Sequence, residues 1–126
     1  MKSRLMFRTS LLALALGAGL ALPILAVAAD EKVDAKIQKI TGEVVDLMCY
    51  LDHGAKGEKH KACATTCIKN GGPVGILSGD KLYLIVGDHK PMNAELADKA
   101  AQTITVTGKV VERNGMKMIE NAQLEK

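Results

Sequence analysis

All three cysteines of the chain and two of its three histidines lie in one short stretch. The stretch runs from Cys49 to Cys67 and reads CYLDHGAKGEKHKACATTC. Thiolate sulfur and imidazole nitrogen are the ligands that zinc and cuprous copper prefer in proteins, and zinc usually takes four of them. The stretch therefore predicts a soft-metal site for zinc or copper, with ligands drawn from Cys49, His53, His60, Cys63 and Cys67.

A short helix is expected to carry most of this ligand set. The segment from Glu58 to Lys69 predicts a helix, because an acidic residue opens it and a lysine closes it. The sequence Asn70-Gly71-Gly72-Pro73 prevents the helix from continuing. On such a helix, His60, Cys63 and Cys67 fall at positions i, i+3 and i+7, which share one face.

The other two candidate ligands precede this helix. Cys49 is expected at the end of a strand that begins at Ile37, and His53 is expected in a loop over residues 51–57. A strand end that faces the helix would bring Cys49 close to the other two cysteines. His60 is therefore predicted as the fourth ligand, with His53 as its alternate.

A disulfide explains the same cysteines without a metal. Compartments outside the cytoplasm oxidise most cysteine pairs. A bridge from Cys49 to Cys63 or Cys67 would close a loop of about 15 residues and stabilise the fold by about 3 kcal/mol in the chain-entropy model. One thiol would stay unpaired, which needs its own explanation in a secreted protein. The protein would then be a non-catalytic interaction or envelope module held by one disulfide.

Redox and catalytic sites fit the sequence less well. Covalent haem attachment needs a histidine directly after the second cysteine, but Ile68 follows Cys67. A thioredoxin-type centre needs two residues between its cysteines, and Cys63 and Cys67 are separated by three. A nucleophile pair of Cys63 and His60 has no accompanying oxyanion motif. A thiol redox protein is the third alternative, and no enzyme activity is predicted.

The N-terminus has the features of a secretory signal peptide. Basic residues at positions 2, 4 and 8 precede an apolar segment over 11–22, and Ala26-Val27-Ala28 forms a small-x-small cleavage site. The apolar segment is shorter than the roughly 20 residues of a membrane span, so an uncleaved anchor is the weaker alternative. Cleavage after Ala28 predicts a periplasmic or secreted protein without stable membrane insertion, a flexible leader over 29–36 and one domain over 37–126.

The predicted mature chain is formally neutral. The whole sequence has 17 Lys and Arg against 14 Asp and Glu, but three of the basic residues and none of the acidic ones lie in the signal. Tyr50 and Tyr83 are its only aromatic residues, because Phe7 leaves with the signal. Nucleic-acid binding needs a basic groove and stacking aromatics. No nucleic-acid partner is therefore predicted, and the sequence identifies no protein partner.

The rest of the sequence predicts a mainly β domain of five strands. A short helix over 91–101 is expected before the fourth strand, and the Cys/His segment 49–72 forms a helical insertion after the first. Asn114-Gly115 predicts a tight turn between the last two strands. The strands are expected over residues 37–48, 75–78, 82–87, 103–113 and 116–124.

Two similar hexapeptides suggest how such a sheet closes. TGEVVD at 41–46 and TGKVVE at 107–112 both place a glycine before β-branched residues, which predicts bent strands of the kind that small barrels need. The order of elements is that of the OB-fold. From Ile37 to Leu124 the chain resembles the small exported bacterial OB-fold domain proteins. The resemblance implies a five-stranded OB-like barrel and no particular substrate.

Overall fold

The computed structural model describes residues 35–126. The predicted signal peptide over 1–28, its cleavage site and nearly all of the leader lie outside these residues and stay predictions. The elements follow one another as β1 (Lys36–Asp46), α1 (Leu47–His53), a 3-10 turn (Glu58–His60), α2 (Lys61–Lys69), β2 (Val74–Ser78), β3 (Lys81–Ile85), α3 (Asn93–Leu96), a second 3-10 turn (Ala97–Lys99), β4 (Thr103–Arg113) and β5 (Met116–Leu124).

The five strands form a closed barrel in the order β1-β2-β3-β5-β4. The pairs are antiparallel except for β3 and β5, which run parallel. Strand β1 closes the barrel, because its first part pairs with β4 from Lys36 to Glu43 and its last part pairs with β2 from Glu43 to Asp46. This arrangement confirms the predicted mainly β, five-stranded OB-like barrel.

The glycines of the two hexapeptides lie where a neighbouring strand leaves no room for a side chain. A Cβ atom at Gly42 would collide with the carbonyl oxygen of Leu77. A Cβ atom at Gly108 would lie 2.5 Å from Cγ2 of Ile119, and the register of β4 against β5 shifts at this point. The predicted bends therefore depend on the missing side chains, which let the strands cross tightly enough to close a small barrel.

The barrel core is aliphatic, and helices close it. Ile68 of α2 and Leu96 of α3 are both fully buried in the same cluster as the barrel interior. The strand residues of that cluster include Val44, Ile76, Ile85, Val106 and Ile119. Helix α2 is thus part of the core, and its position is set by the barrel.

The segment after β1 differs from the prediction. The strand was expected to reach Met48 and a loop was expected over 51–57, but β1 ends at Asp46 and α1 begins at Leu47. Asp46 has an extended backbone and its side chain accepts a hydrogen bond from the Cys49 N–H, which starts the helix. The prediction of Cys49 at a strand end was therefore wrong, because a capping side chain ended the strand.

Both helical segments predicted after this point are present, each with a 3-10 turn as part of it. The helix expected over 58–69 is a 3-10 turn followed by α2. The helix expected over 91–101 is reduced to α3 and a second 3-10 turn, and Ala101 beyond it has a positive φ of 64°. The backbone of Ala101 donates to the Val44 carbonyl at 2.9 Å, which ties this segment to β1.

Candidate metal centre

The sulfur atoms of Cys49, Cys63 and Cys67 all lie within 4.8 Å of one another. All three cysteines are free thiols; Cys63 is exposed and the other two are half-buried. Within residues 35–126, no other group of three or more Cys, His, Asp or Glu side chains is brought together in this way. Zn–S bonds of 2.3 Å in a tetrahedron place sulfurs about 3.8 Å apart. The three cysteines thus lie close enough to bind a metal ion.

Helix α1 positions Cys49 through contacts at both of its ends. Oδ2 of Asp46 accepts the Cys49 N–H at 3.0 Å, and the N–H of Leu47 donates to the carbonyl of Pro73 at 2.9 Å. Gly54 ends the helix in the left-handed conformation, with a φ of 72°. The bond to Pro73 joins the start of α1 to the segment that follows α2, so the two helices are fixed relative to each other.

Helix α2 positions Cys63 and Cys67 through its buried face and its end. Ala64 and Ile68 pack into the core, and Cys63 and Cys67, each one residue earlier, lie on the adjoining face of the helix. The side-chain amide of Asn93 donates to the carbonyls of Ile68 at 2.8 Å and Gly72 at 2.7 Å. These bonds satisfy two carbonyls at the end of the helix and hold it against α3.

The histidines lie beside the sulfur group and not within it. His60 lines a small cleft together with Asp46, Cys49 and Cys63, but the compact group of ligand atoms contains the three sulfurs alone. The ring of His53 lies 6.2 Å from the ring of His60, centroid to centroid, and its Nδ1 lies 3.1 Å from a carboxylate oxygen of Asp52. Metal ligation by either histidine stays a prediction.

Asp46 is the residue of the site that sequence reasoning missed. Its side chain is only 1% exposed, and Oδ1 has no hydrogen-bond partner among the described residues. The signal in the sequence was the residue type, because aspartate is a typical helix N-cap and accepts the backbone N–H three residues later, here that of Cys49. Its burial, in contrast, follows from packing against residues distant in sequence.

The surroundings of Cys49 and Cys67 favour the protonated form of these two thiols in the absence of metal. A hydrogen bond to the Asp46 carboxylate, followed by burial and by the charge of Asp46, raises the pKa of Cys49 to about 12. Burial first, and then a hydrogen bond with Cys63, raises the pKa of Cys67. Reactive and catalytic cysteines need the opposite, a lowered pKa. A metal ion would have to displace these protons in order to bind.

Comparisons of this chain with protein-family models, with curated proteins and with solved structures found no match. Within residues 35–126, no helix is both long enough and apolar enough to cross a membrane.

Proposed function

We propose that this protein is exported from the cytoplasm and binds a soft metal ion, zinc or cuprous copper, through Cys49, Cys63 and Cys67. The observation that carries the proposal is the convergence of three sulfurs from two separate helices to within 4.8 Å. Capping fixes one helix and core packing fixes the other, so the convergence does not depend on one local turn. Soft ions bind thiolates in preference to harder ligands.

A metal at this point would act as a crosslink between α1 and α2. The two helices are joined by residues 54–60, and Gly54 and Gly57 in this connection both have a positive φ. The connection is held to β1 by a hydrogen bond of 2.5 Å from the N–H of Gly57 to Glu43. Bound metal would thus stabilise the insertion, while the exposure of Cys63 would let the ion exchange with an external ligand.

The proposal includes neither catalysis nor a nucleic-acid partner. OB-like barrels that bind nucleic acids present aromatic side chains on which bases stack. Tyr83 is only 6% exposed and Tyr50 packs against a small cluster of Val45, Leu47 and Leu77. The burial of Tyr83, the packing of Tyr50 and the neutral charge of the predicted mature chain support this part of the proposal.

The alternative is an interaction module stapled by a disulfide between Cys49 and either Cys63 or Cys67. Export and the same close approach of the sulfurs favour it. In that case one thiol would be left beside the bridge, without a metal.

Metal and thiol content of protein purified from the periplasm under anaerobic conditions separates these functions. We expect one equivalent of metal and three alkylatable thiols after denaturation, with the metal lost in Cys67→Ser. Thr65→Ser, a change of similar size on the same helix, is the matched control and should keep the metal. Two oxidised cysteines without metal would establish the stapled module, and a thiol that cycles with a physiological reductant would establish the redox protein.

The rate of metal loss to a chelator then separates storage from transfer. A structural ion should remain bound for hours in excess chelator. An ion that the protein carries should leave within minutes, through the exposed side of the site at Cys63.

A further inference from the structure

The buried carboxylate of Asp46 has one oxygen without a hydrogen-bond partner. Oδ1 of Asp46 is the one buried side-chain nitrogen or oxygen within residues 35–126 that makes no hydrogen bond. A buried polar atom without a partner costs about 1–3 kcal/mol, and more if it is charged. Among the described residues, no lysine or arginine forms an ion pair with this carboxylate. A cation that approaches Oδ1 would remove this cost.

This oxygen belongs to a side chain that contacts the segments carrying Cys49 and Cys67. Asp46 caps α1 next to the thiol of Cys49, and an added Cβ atom at Gly72 would lie 3.1 Å from Oδ1 and 2.8 Å from the carbonyl of Cys67. Oδ1 is therefore enclosed between the start of the helix that carries Cys49 and the end of the helix that carries Cys67. Glycine at position 72 keeps the space beside it free.

We propose that Asp46 is the fourth ligand of the metal centre, through Oδ1, and that a Cys3Asp set makes the site selective for a divalent ion such as zinc. This inference rests on the proposed function. Zinc accepts a carboxylate oxygen at about 2.0–2.2 Å beside thiolates, whereas cuprous copper is satisfied by sulfur alone. Three thiolates and one carboxylate also concentrate four negative charges, which a divalent ion compensates better than a monovalent one.

Asp46 fits this role better than His60. Neither side chain belongs to the sulfur group in the metal-free arrangement, so either would have to rotate toward the ion. His60 is half-exposed, and water can satisfy its ring. Asp46 is buried and gains a partner for Oδ1, while Oδ2 keeps the Cys49 N–H. Ligation by the carboxylate would therefore also give Oδ1 a partner, whereas ligation by His60 would leave Oδ1 without one.

The first test compares the affinities of the metal-free protein for zinc and for cuprous ion. Asp46→Asn keeps an oxygen that can cap α1 and removes the charge. We expect its zinc dissociation constant to rise at least about tenfold, while the cuprous dissociation constant does not rise. Glu43→Gln removes the charge of the other carboxylate in the same cleft but keeps an oxygen that can accept the Gly57 N–H, so both constants should be unchanged. An equal loss for both ions would overturn the proposal, since it would indicate a purely structural role.

X-ray absorption of the zinc-loaded wild-type protein is the second test, and it does not depend on how the variant folds. We expect three sulfurs and one oxygen without the multiple scattering of imidazole. Three sulfurs and an imidazole, lost in His60→Asn, would overturn the role of Asp46 and leave the metal site standing. Wild-type protein that binds neither ion would instead overturn the proposed function itself.

Discussion

At the scale of single residues, the feature that distinguishes this site is a buried carboxylate beside a thiol. Asp46 donates no hydrogen when ionised, so the contact with Cys49 is favourable only while that thiol keeps its proton. The same contact explains why the pKa of Cys49 rises to about 12. In the absence of metal, Cys49 should therefore be a weak nucleophile at neutral pH, because the thiolate is the reactive form.

Asp46→Asn should make Cys49 more reactive in the metal-free, reduced protein. Removing the carboxylate lowers the pKa of Cys49, and each unit of decrease raises the alkylation rate about threefold, because a tenfold gain in thiolate outweighs a smaller loss of nucleophilicity. Iodoacetamide labelling at pH 8, followed by mass spectrometry of the Cys49 peptide, measures this rate. The exposed Cys63 in the same sample serves as an internal reference, and Glu43→Gln is the control variant. An unchanged ratio of Cys49 to Cys63 labelling in Asp46→Asn would contradict the assigned cause.

At the scale of elements, the bend of β1 determines the position in space from which α1 starts. Strand β1 leaves β4 and joins β2 close to Gly42, whose missing side chain makes room for the backbone of Leu77. The strand then ends at Asp46, and the first turn of α1 carries Cys49. The position of one sulfur in the site thus depends on a close approach between two strands.

Gly42→Ala should destabilise the metal-free protein by about 1–3 kcal/mol, because the added methyl group must displace a strand backbone. Chemical denaturation with one spectroscopic probe measures the change in the free energy of unfolding. Gly87→Ala is the matched control, since Gly87 is also buried and an added Cβ atom there would lie 3.5 Å from the nearest atom, an ordinary contact. If both variants lose stability equally, strand crossing at Gly42 is not the reason for the glycine.

At the scale of the whole molecule, the barrel and the site form one structural unit. The helix that carries Cys63 and Cys67 also contributes Ile68 to the core, and Asn93 joins its end to the segment before β4. Helix α1, in contrast, buries only Leu47 and has exposed side chains at Met48 and Leu51. A metal ion would therefore stabilise mainly α1 and the connection to α2.

Zinc should raise the melting temperature and protect one region selectively. Free zinc at 100 times its dissociation constant adds about 2.7 kcal/mol, which corresponds to about 10 °C or more for a domain of this size. Calorimetry measures this increase. In hydrogen exchange, adding zinc should slow exchange more over 47–72 than in the strands. Cys67→Ser should show neither effect. A similar increase in that variant would place the stabilising ion elsewhere.

The sequence by itself determined the scaffold and the residue types that gather at the candidate site. Alternating β-branched residues, turn signals and two glycine-containing hexapeptides were sufficient to predict the five strands, because each pattern involves only residues that are close in sequence. The three cysteines were predictable as a cluster, since no cysteine lies elsewhere in the chain.

Only the tertiary structure decided where the strand ends and which groups surround the sulfurs. Leu47 and Met48 continue an apolar pattern, so the capping of α1 by Asp46 could not be distinguished from further strand by pattern alone. The burial of Asp46 depends on Gly72 and Pro73, which chain folding brings back to it from beyond α2. A local pattern cannot report a contact of this kind, because the cost of burying a carboxylate is set by residues that approach only when the barrel has closed.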